Sequence, residues 1–456
     1  LKFGPASTKG REGLDGAQAI INGYAESTPN GKAEYGLYPA PGLVRWGECA
    51  TGPWRGWIEV NGRLLVASGK VLYEVDAGGV SIEVAGLPGD GPVQMARNAN
   101  ADPDIAMVAD GRLWFWKAGT LTAYDNDFLP TCVGVVFLRG RFVVGCADGR
   151  FYYTDIGRIV MPADQFYNAE QKTDGLSAIW QRRNELWLLG TDTVELWAPT
   201  EDDEDPFAPL GGGALPIGCA VGSTVAETSD DIMWVDHSYQ VRRAKGMQPS
   251  EISPPWVVRL IEAEPDKASL IGHAYSVGGV NFYELSGSTF SLRYNLDRND
   301  WHERRTQGMK RWRGQGAIDF AGKQLIGDAV NGTIWHLDNK HMADGDDDII
   351  MTFRSAIVHS HPAPLSIYSL HLDVVPQRFV DEGRERNCML RISSDGGNSW
   401  SRPIITSLGQ QGQYKRAIWR RLGTYERTGA VLEFSASARD VACVMDGMIN
   451  GAQGSA

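Results

Sequence analysis

One pattern constrains this 456-residue chain more than any other. An apolar strand, a tight turn and a second apolar strand recur seven times. RLLVASGKVLYEV turns at Gly69, IAMVADGRLWFW at Gly111 and RFVVGCADGRFYYTD at Gly149. ELWLLGTDTVELW turns near Asp192, DIMWVDHSYQVRRA near Ser238, VNFYELSGSTFSLRYNL near Ser288 and QLIGDAVNGTIWHLD at Gly332. Successive turns stand 42, 38, 43, 46, 50 and 44 residues apart. A period of roughly 40–50 residues holds four short strands, the content of one propeller blade. The expected fold is therefore all-β: a six- or seven-bladed β-propeller over 40–355, preceded by an N-terminal arm and first strand at 1–39. Ring closure would hide strand edges that an open stack exposes. A large sandwich or meander with the same rhythm is the alternative. The repeats agree in pattern and not in residue identity, and WD or kelch signatures are absent.

The texture changes around 345–365, where DGDDD and HSHPAPL read as loop. From 366 to 450 come SIYSLHLDVV, NCMLRIS, WSRPIIT, KRAIWRRLG and AVLEFSAS, which we read as a small C-terminal β-sandwich. The 54 glycines and 15 tryptophans suit tight turns and flat aromatic anchors in such a protein. The one credible helix is PPWVVRLIEAEPD, 254–266, with Trp256, Leu260 and Ile261 on one face and Pro265 ending it.

Net charge is −12, which argues against a surface dedicated to gripping phosphates. An acidic wall would instead let a duplex slide past. The six cysteines (49, 132, 146, 219, 388 and 443) include no CxxC spacing. They read as reduced thiols, mostly in strands. The numbered chain begins at Leu1, shows no signal peptide, and has no apolar run approaching 18 residues, so synthesis in a cytoplasm without membrane insertion is expected.

In ISSDGGNSW, Ser393, Asp395, Gly397 and Trp400 fit S-x-D-x-G-x-x-W, the spacing of an Asp-box. Asp395 can accept bonds from turn N–H groups, Gly396 and Gly397 can take positive φ, and Trp400 can fold back as an apolar lid. None of this requires a substrate. The motif is expected as a hairpin staple.

Three segments carry a family resemblance. AIINGYAESTPNGKAEYGLYPAPGL (19–43), through Asn22, Tyr24, Glu26 and Pro41-Gly42-Leu43, is similar to the start of the packaged-DNA stabilisation proteins of short-tailed phages. DGLSAIWQRRNELWLLGTDTVELW (174–197) resembles a two-strand segment of the same family. The stretch following the Asp-box resembles a module of phage structural proteins, with Gly412, Tyr414, Arg416, Trp419, Arg420, Arg421, Leu422 and Gly423 in its Gly-Tyr-Arg and Trp-Arg-Arg-Leu-Gly places. The chain departs from the family in its own loops, such as TEDDEDPF.

The resemblance implies a non-enzymatic virion protein, a tail hub or nozzle subunit. Six copies would form a ring below the portal and its adaptor ring, retaining packaged double-stranded DNA and forming its ejection conduit. A needle or plug and fibres or spikes are the implied neighbours, and the short tail of a virion assembled in the host cytoplasm is the implied location. Six copies would carry 6 × −12 = −72, so an acidic or mixed bore with few inward Arg is expected.

The basic residues Lys310, Arg311 and Arg313, Arg304 and Arg305, and Lys415, Arg416, Arg420 and Arg421 read either as strand residues facing solvent or as docking groups for acidic neighbours. Of these, Lys310, Arg311, Arg313, Lys415, Arg416, Arg420 and Arg421 are the candidate subunit interface.

Two other functions fit parts of the sequence. A sialidase-like propeller would want several Asp-boxes, three Arg on a substrate carboxylate and a Tyr nucleophile, yet one clear box is present. A fibre or baseplate protein would share only the C-terminal module. Asp344, Asp346 and Asp348 alternate as Ca²⁺ ligands can, but without the EF-hand continuation they read as a solvated turn, as does TEDDED at 200–205. His359 and His361 lack a third metal ligand. Gly211-Gly212-Gly213 lacks a phosphate-cradle Lys and reads as a flexible link. No P-loop, HExxH or GxSxG occurs. We expect no catalytic residue, metal or cofactor.

Overall fold

The computed structural model describes residues 3–453 except 13–15, 29–30, 32, 170–173, 212, 229, 361, 379–382, 411–412, 414 and 427. Gly212, His361, Gly412 and Tyr414 from the sequence reading therefore lie outside the described residues. The chain divides into two compact units, one of residues 45–275 and 313–336, the other of residues 1–44, 276–312 and 337–456.

The first unit is built from four-stranded antiparallel meanders. Trp54–Val60, Arg63–Ser68, Val71–Val75 and Ser81–Gly86 make one, and four more follow in sequence, beginning at Gln94–Arg97, Cys132–Leu138, Leu176–Arg182 and Ala226–Thr228. The middle strands are buried on both faces by their neighbours. Ile105–Ala109, Arg141–Cys146 and Asp231–Val235 have no exposed residue, which is why they read as continuous apolar runs rather than alternating ones. Between the second and third meanders, Ala106, Val108 and Phe115 pack with Val135, Phe142 and Val144. The repeat turns sit between second and third strands, and Gly69, Gly111 and Gly149 take φ of 56, 70 and 91, the left-handed region glycine enters without a Cβ penalty.

The inner strands of this unit meet at its centre. A cavity of 590 Å³ is bordered by the inner strands Trp54–Val60, Gln94–Arg97, Cys132–Leu138, Leu176–Arg182, Ile271–Val277 and Gly314–Phe320 and by residues 221–227, with Val108, Asp110 and Gly111 also reaching it. Neighbouring segments are tied at the centre. Ser223 Oγ donates to Leu270 O (2.7 Å), Gln315 Nε2 to Trp54 O (3.2 Å) and Trp57 Nε1 to Ala317 O (3.4 Å). The ends of the unit meet where Cys49 N–H donates to Gly332 O at 2.7 Å. Seven inner strands thus border one space, and five of them open complete four-stranded meanders within this unit, the blades of a β-propeller.

The second unit holds a β-sandwich. One sheet runs Gly23–Ser27, Tyr35–Pro39, Val441–Gln453, Leu365–Pro376, Ala417–Tyr425. The other includes Ala17–Ile21, Ile350–Arg354, Val431–Ser437, Arg386–Ser393 and Ile404–Gly409 in that order. Leu37, Phe353, Leu370, Leu390, Trp419 and Phe434 are buried in one shared core. Three strands from before residue 40 thus join the C-terminal strands. The meander Val280–Ser286, Ser291–Asn295, Asp300–Glu303 belongs to this unit as well.

The helix spans Pro255–Ala263 and buries Trp256, Val257 and Ile261. Leu260, expected on that face, is only half-buried, because Val257 and Ile261 are the i,i+4 pair that sets the inward stripe. All six cysteines are free and buried.

Candidate functional site

The Asp-box hairpin joins the sandwich strands Arg386–Ser393 and Ile404–Gly409. Ser393 Oγ donates to Asp395 Oδ1 (2.7 Å) and accepts from Gly397 N–H (2.8 Å). Ser399 closes the other side, its N–H donating to Asp395 Oδ1 (2.8 Å) and its hydroxyl to Oδ2 (2.5 Å). Bonds from the Ser399 hydroxyl and N–H, and then from Ser393, hold the Asp395 carboxyl far below the usual carboxylate range. Gly396 and Gly397 have φ of 73 and 97, and a Cβ on Gly397 would stand 3.5 Å from the Trp400 ring. Trp400 therefore folds back against its own turn.

Trp400 also contacts two arginines. The guanidinium carbons of Arg354 and Arg391 lie 5.0 and 5.4 Å from its ring centroid, within cation–π range. Arg354 Nε donates to Glu433 Oε2 at 2.7 Å, and Arg391 Nε to Oε1 at 2.8 Å. Glu433 is 1% exposed. The sequence reading missed this bracket. Its one signal is a lone Glu inside the apolar strand AVLEFSAS, because a buried carboxylate demands a cationic partner.

The family-like N-terminal residues hold the second unit together. Asn22 takes φ 55; its Nδ2 donates to Ile350 O (3.1 Å) and its Oδ1 accepts from Arg305 N–H (2.8 Å). A Cβ on Gly42 would meet His341 O at 2.2 Å, so the Pro41-Gly42-Leu43 turn admits no side chain there. Tyr24 is buried and packs edge-on to Phe282, with ring centroids 5.7 Å apart.

The basic residues separate into two kinds. Arg304 is buried against Asp344 (3.3 Å), and Arg313 Nε donates to the buried Asp328 at 2.8 Å. Arg311 Nε donates to Trp312 O (3.0 Å). Lys310, Lys415, Arg416, Arg420 and Arg421 are exposed. Strand alternation alone would turn one of Arg420 and Arg421 inward. A bulge at Arg421–Leu422, two residues opposite the single Tyr368 of the partner strand, with Arg421 at φ 59, turns both outward.

The acidic trio is not a single solvated turn. Asp344 is 2% exposed and accepts from Thr306 Oγ1 at 3.0 Å as well as from Arg304, while Asp348 pairs with Arg439 at 2.9 Å. The buried Arg304 recruits Asp344 inward, which overturns the loop reading for that residue. Among the described residues no group of three or more His, Cys, Asp or Glu is placed to hold a metal ion, and His359 is exposed.

Family models place the whole arrangement. Residues 17–342 match the model described as "Bacteriophage P22 Gp10, beta-propeller", and residues 351–436 match "Bacteriophage P22 Gp10, beta-sandwich". The chain belongs to the bacteriophage P22 Gp10 family. It is a structural protein of the phage tail and a component of the virion. The Gp10 match runs through the propeller as well as the sandwich, so the resemblance is not confined to the C-terminal module. No curated protein matches the chain.

Among solved structures, the computationally designed Ika8 protein is similar over 74% of this chain and 100% of its own, at 12% identity and a TM-score of 0.39. BamB from Moraxella catarrhalis is similar over 74% and 98%, at 10% identity and a TM-score of 0.40. YCF48 bound to D1 peptide is similar over 66% and 96%, at 10% identity and a TM-score of 0.42.

Proposed function

We propose that this Gp10-family chain is the hub, or nozzle, subunit of a short phage tail. Six copies form a ring below the portal and its adaptor, hold packaged DNA in the head, and line its exit path. The observation that carries the reading, beyond the family, is the size of the propeller's centre. A 590 Å³ space is too small to hold a duplex, whose major groove alone is roughly 12 Å wide. A duplex cannot pass through one subunit. A conduit then requires several copies around an axis, joined by heterologous contacts that close on themselves.

The exposed Arg420 and Arg421 suit docking onto acidic surfaces of a neighbouring copy or the adaptor ring. A plug or needle and fibres or spikes complete the expected set of partners. Double-stranded DNA is met without sequence readout. The role is structural and non-catalytic.

Imaging of isolated tails tests the reading. Six copies around an acidic or mixed bore are expected, and particles lacking the protein should lose packaged DNA. A bore dense in Arg and Lys, or DNA-filled heads without this chain, would overturn it. Arg420→Glu with Arg421→Glu should block assembly while leaving the monomer folded, and normal virions from that variant would refute the docking role.

A further inference from the structure

A cleft of 300 Å³ in the sandwich-bearing unit is lined by Arg305, Arg354, Arg391, Gln307, Asp348 and Glu433, among others. Its charge is unbalanced. Glu433 is shared by Arg354 and Arg391, and Glu303, behind the cleft, is shared by Lys9 (2.6 Å) and Arg305 (2.8 Å). Asp348 is neutralised by Arg439. Three arginines thus line a cleft whose own carboxylates, Glu433 and Asp348, are both already paired. Arg354 and Arg391 each place Nε on Glu433, and among the described residues the two Nη groups of Arg354 donate to no protein partner. The guanidiniums are held in place by Glu433 below and Trp400 alongside. Such a pair is pre-organised to clamp a further carboxylate at little entropic cost.

The same sequence carries a complementary feature. The segment 201–204, Glu-Asp-Asp-Glu, is exposed throughout. No ion pair within 4.0 Å engages Glu201, Asp203 or Glu204 among the described residues. The loop is nonetheless ordered at its base, where Thr200 N–H donates to Pro206 O (2.9 Å) and Thr200 Oγ1 to Asp205 O (2.5 Å). An unpaired acidic tip on a rigid base is costly to leave beside like charge and favourable to bring to surplus arginines.

We infer that the arginine cleft receives the 201–204 acidic loop of a second copy of this chain. The contact joins two different surfaces, so it is of the heterologous kind that builds a ring. It rests on the multi-copy reading given above and names one of the contacts that reading needs.

The test uses full-length chain in assembled tails. Asp203→Cys and Gln307→Cys, combined in one chain, are expected to give covalent chain-to-chain ladders under a mild oxidant, and neither substitution alone should do so. The six native cysteines are buried and leave the background low. Gln307→Glu adds a carboxylate to the cleft without touching the Glu433 bracket, and should weaken association about tenfold. Glu201→Lys with Asp203→Lys and Glu204→Lys, in an otherwise unchanged chain, should also weaken it, because lysines then face the arginines. Tails that show a multi-copy ring, give no ladder and tolerate Gln307→Glu would overturn this contact and leave the ring standing. Tails holding a single copy would overturn both.

Discussion

The Arg304 guanidinium carbon lies 3.9 Å from the centroid of the Trp312 indole, and its Nη2 donates to Pro41 O at 2.6 Å and to Asp344 Oδ1 at 3.3 Å. One buried cation therefore joins the N-terminal Pro-Gly-Leu turn, an aromatic face and a buried acid. Arg304→Met removes the cation and leaves Asp344 uncompensated. Loss of about 3–5 kcal/mol is expected, read by urea denaturation, and Arg304→Met with Asp344→Asn should recover part of it. Equal stability of the single variant and the parent would count against the buried pair.

Trp187 and Trp234 are both fully buried, with ring centroids 6.2 Å apart and edge-on, on successive propeller meanders. Trp187→Ala should cost about 3–5 kcal/mol. The midpoint of chemical unfolding, followed by tryptophan fluorescence, measures it.

Propeller closure can be tested at one glycine. A Cβ on Gly332 would meet Cys49 O at 2.1 Å and Thr51 O at 2.3 Å, beside the Cys49–Gly332 hydrogen bond. Gly332→Ala should destabilise by about 1–3 kcal/mol through overpacking. A neutral result would mean that the two ends of the ring do not meet there.

Burial holds the thiols of Cys49, Cys219 and Cys388 up at about 12, against an ordinary 9.0. A raised folded-state pKa favours the neutral thiol of the native protein. Its contribution is complete below pH 9 and is lost as pH rises from there toward 12. Alkaline unfolding in that window, with thiol reagents silent below it, is the expected result. Reaction of the folded protein with such reagents at neutral pH would contradict the burial.

Asp395 titrates in the opposite sense. Its folded pKa is depressed, so the hairpin is held above the ordinary carboxylate pKa and loosens as pH falls through the lower folded value. Asp395→Ala should speed amide exchange at Ser399, whose N–H it receives, while leaving the propeller unchanged. Unaltered exchange would show that the carboxylate does not staple the turn.

Legibility in the sequence tracked distance along the chain. The hairpins at Gly69, Gly111 and Gly149 and the Asp-box turn were readable because every residue that makes them lies within a few positions. The helix was placed to within a few residues for the same reason, with Trp256 and Ile261 of its expected inward face buried and Val257 there in place of Leu260. Glu433 meets Arg354 and Arg391 across 79 and 42 residues, so periodicity held no trace of the bracket. Arg420 and Arg421 read as alternating strand residues, and the bulge that turns both outward is defined only by register against the distant strand Leu365–Pro376.

Local spacing by itself determined an all-β chain of repeated hairpins and a stapled turn near the end. Those features depend on turn geometry and on which runs of residues can be buried, and both are written residue by residue. The tertiary structure alone decided that seven inner strands surround the propeller's centre, that Asp344 goes inside, and that surplus arginines gather in one cleft. Each depends on which strands become neighbours, a matter of collective packing that no short stretch of chain encodes.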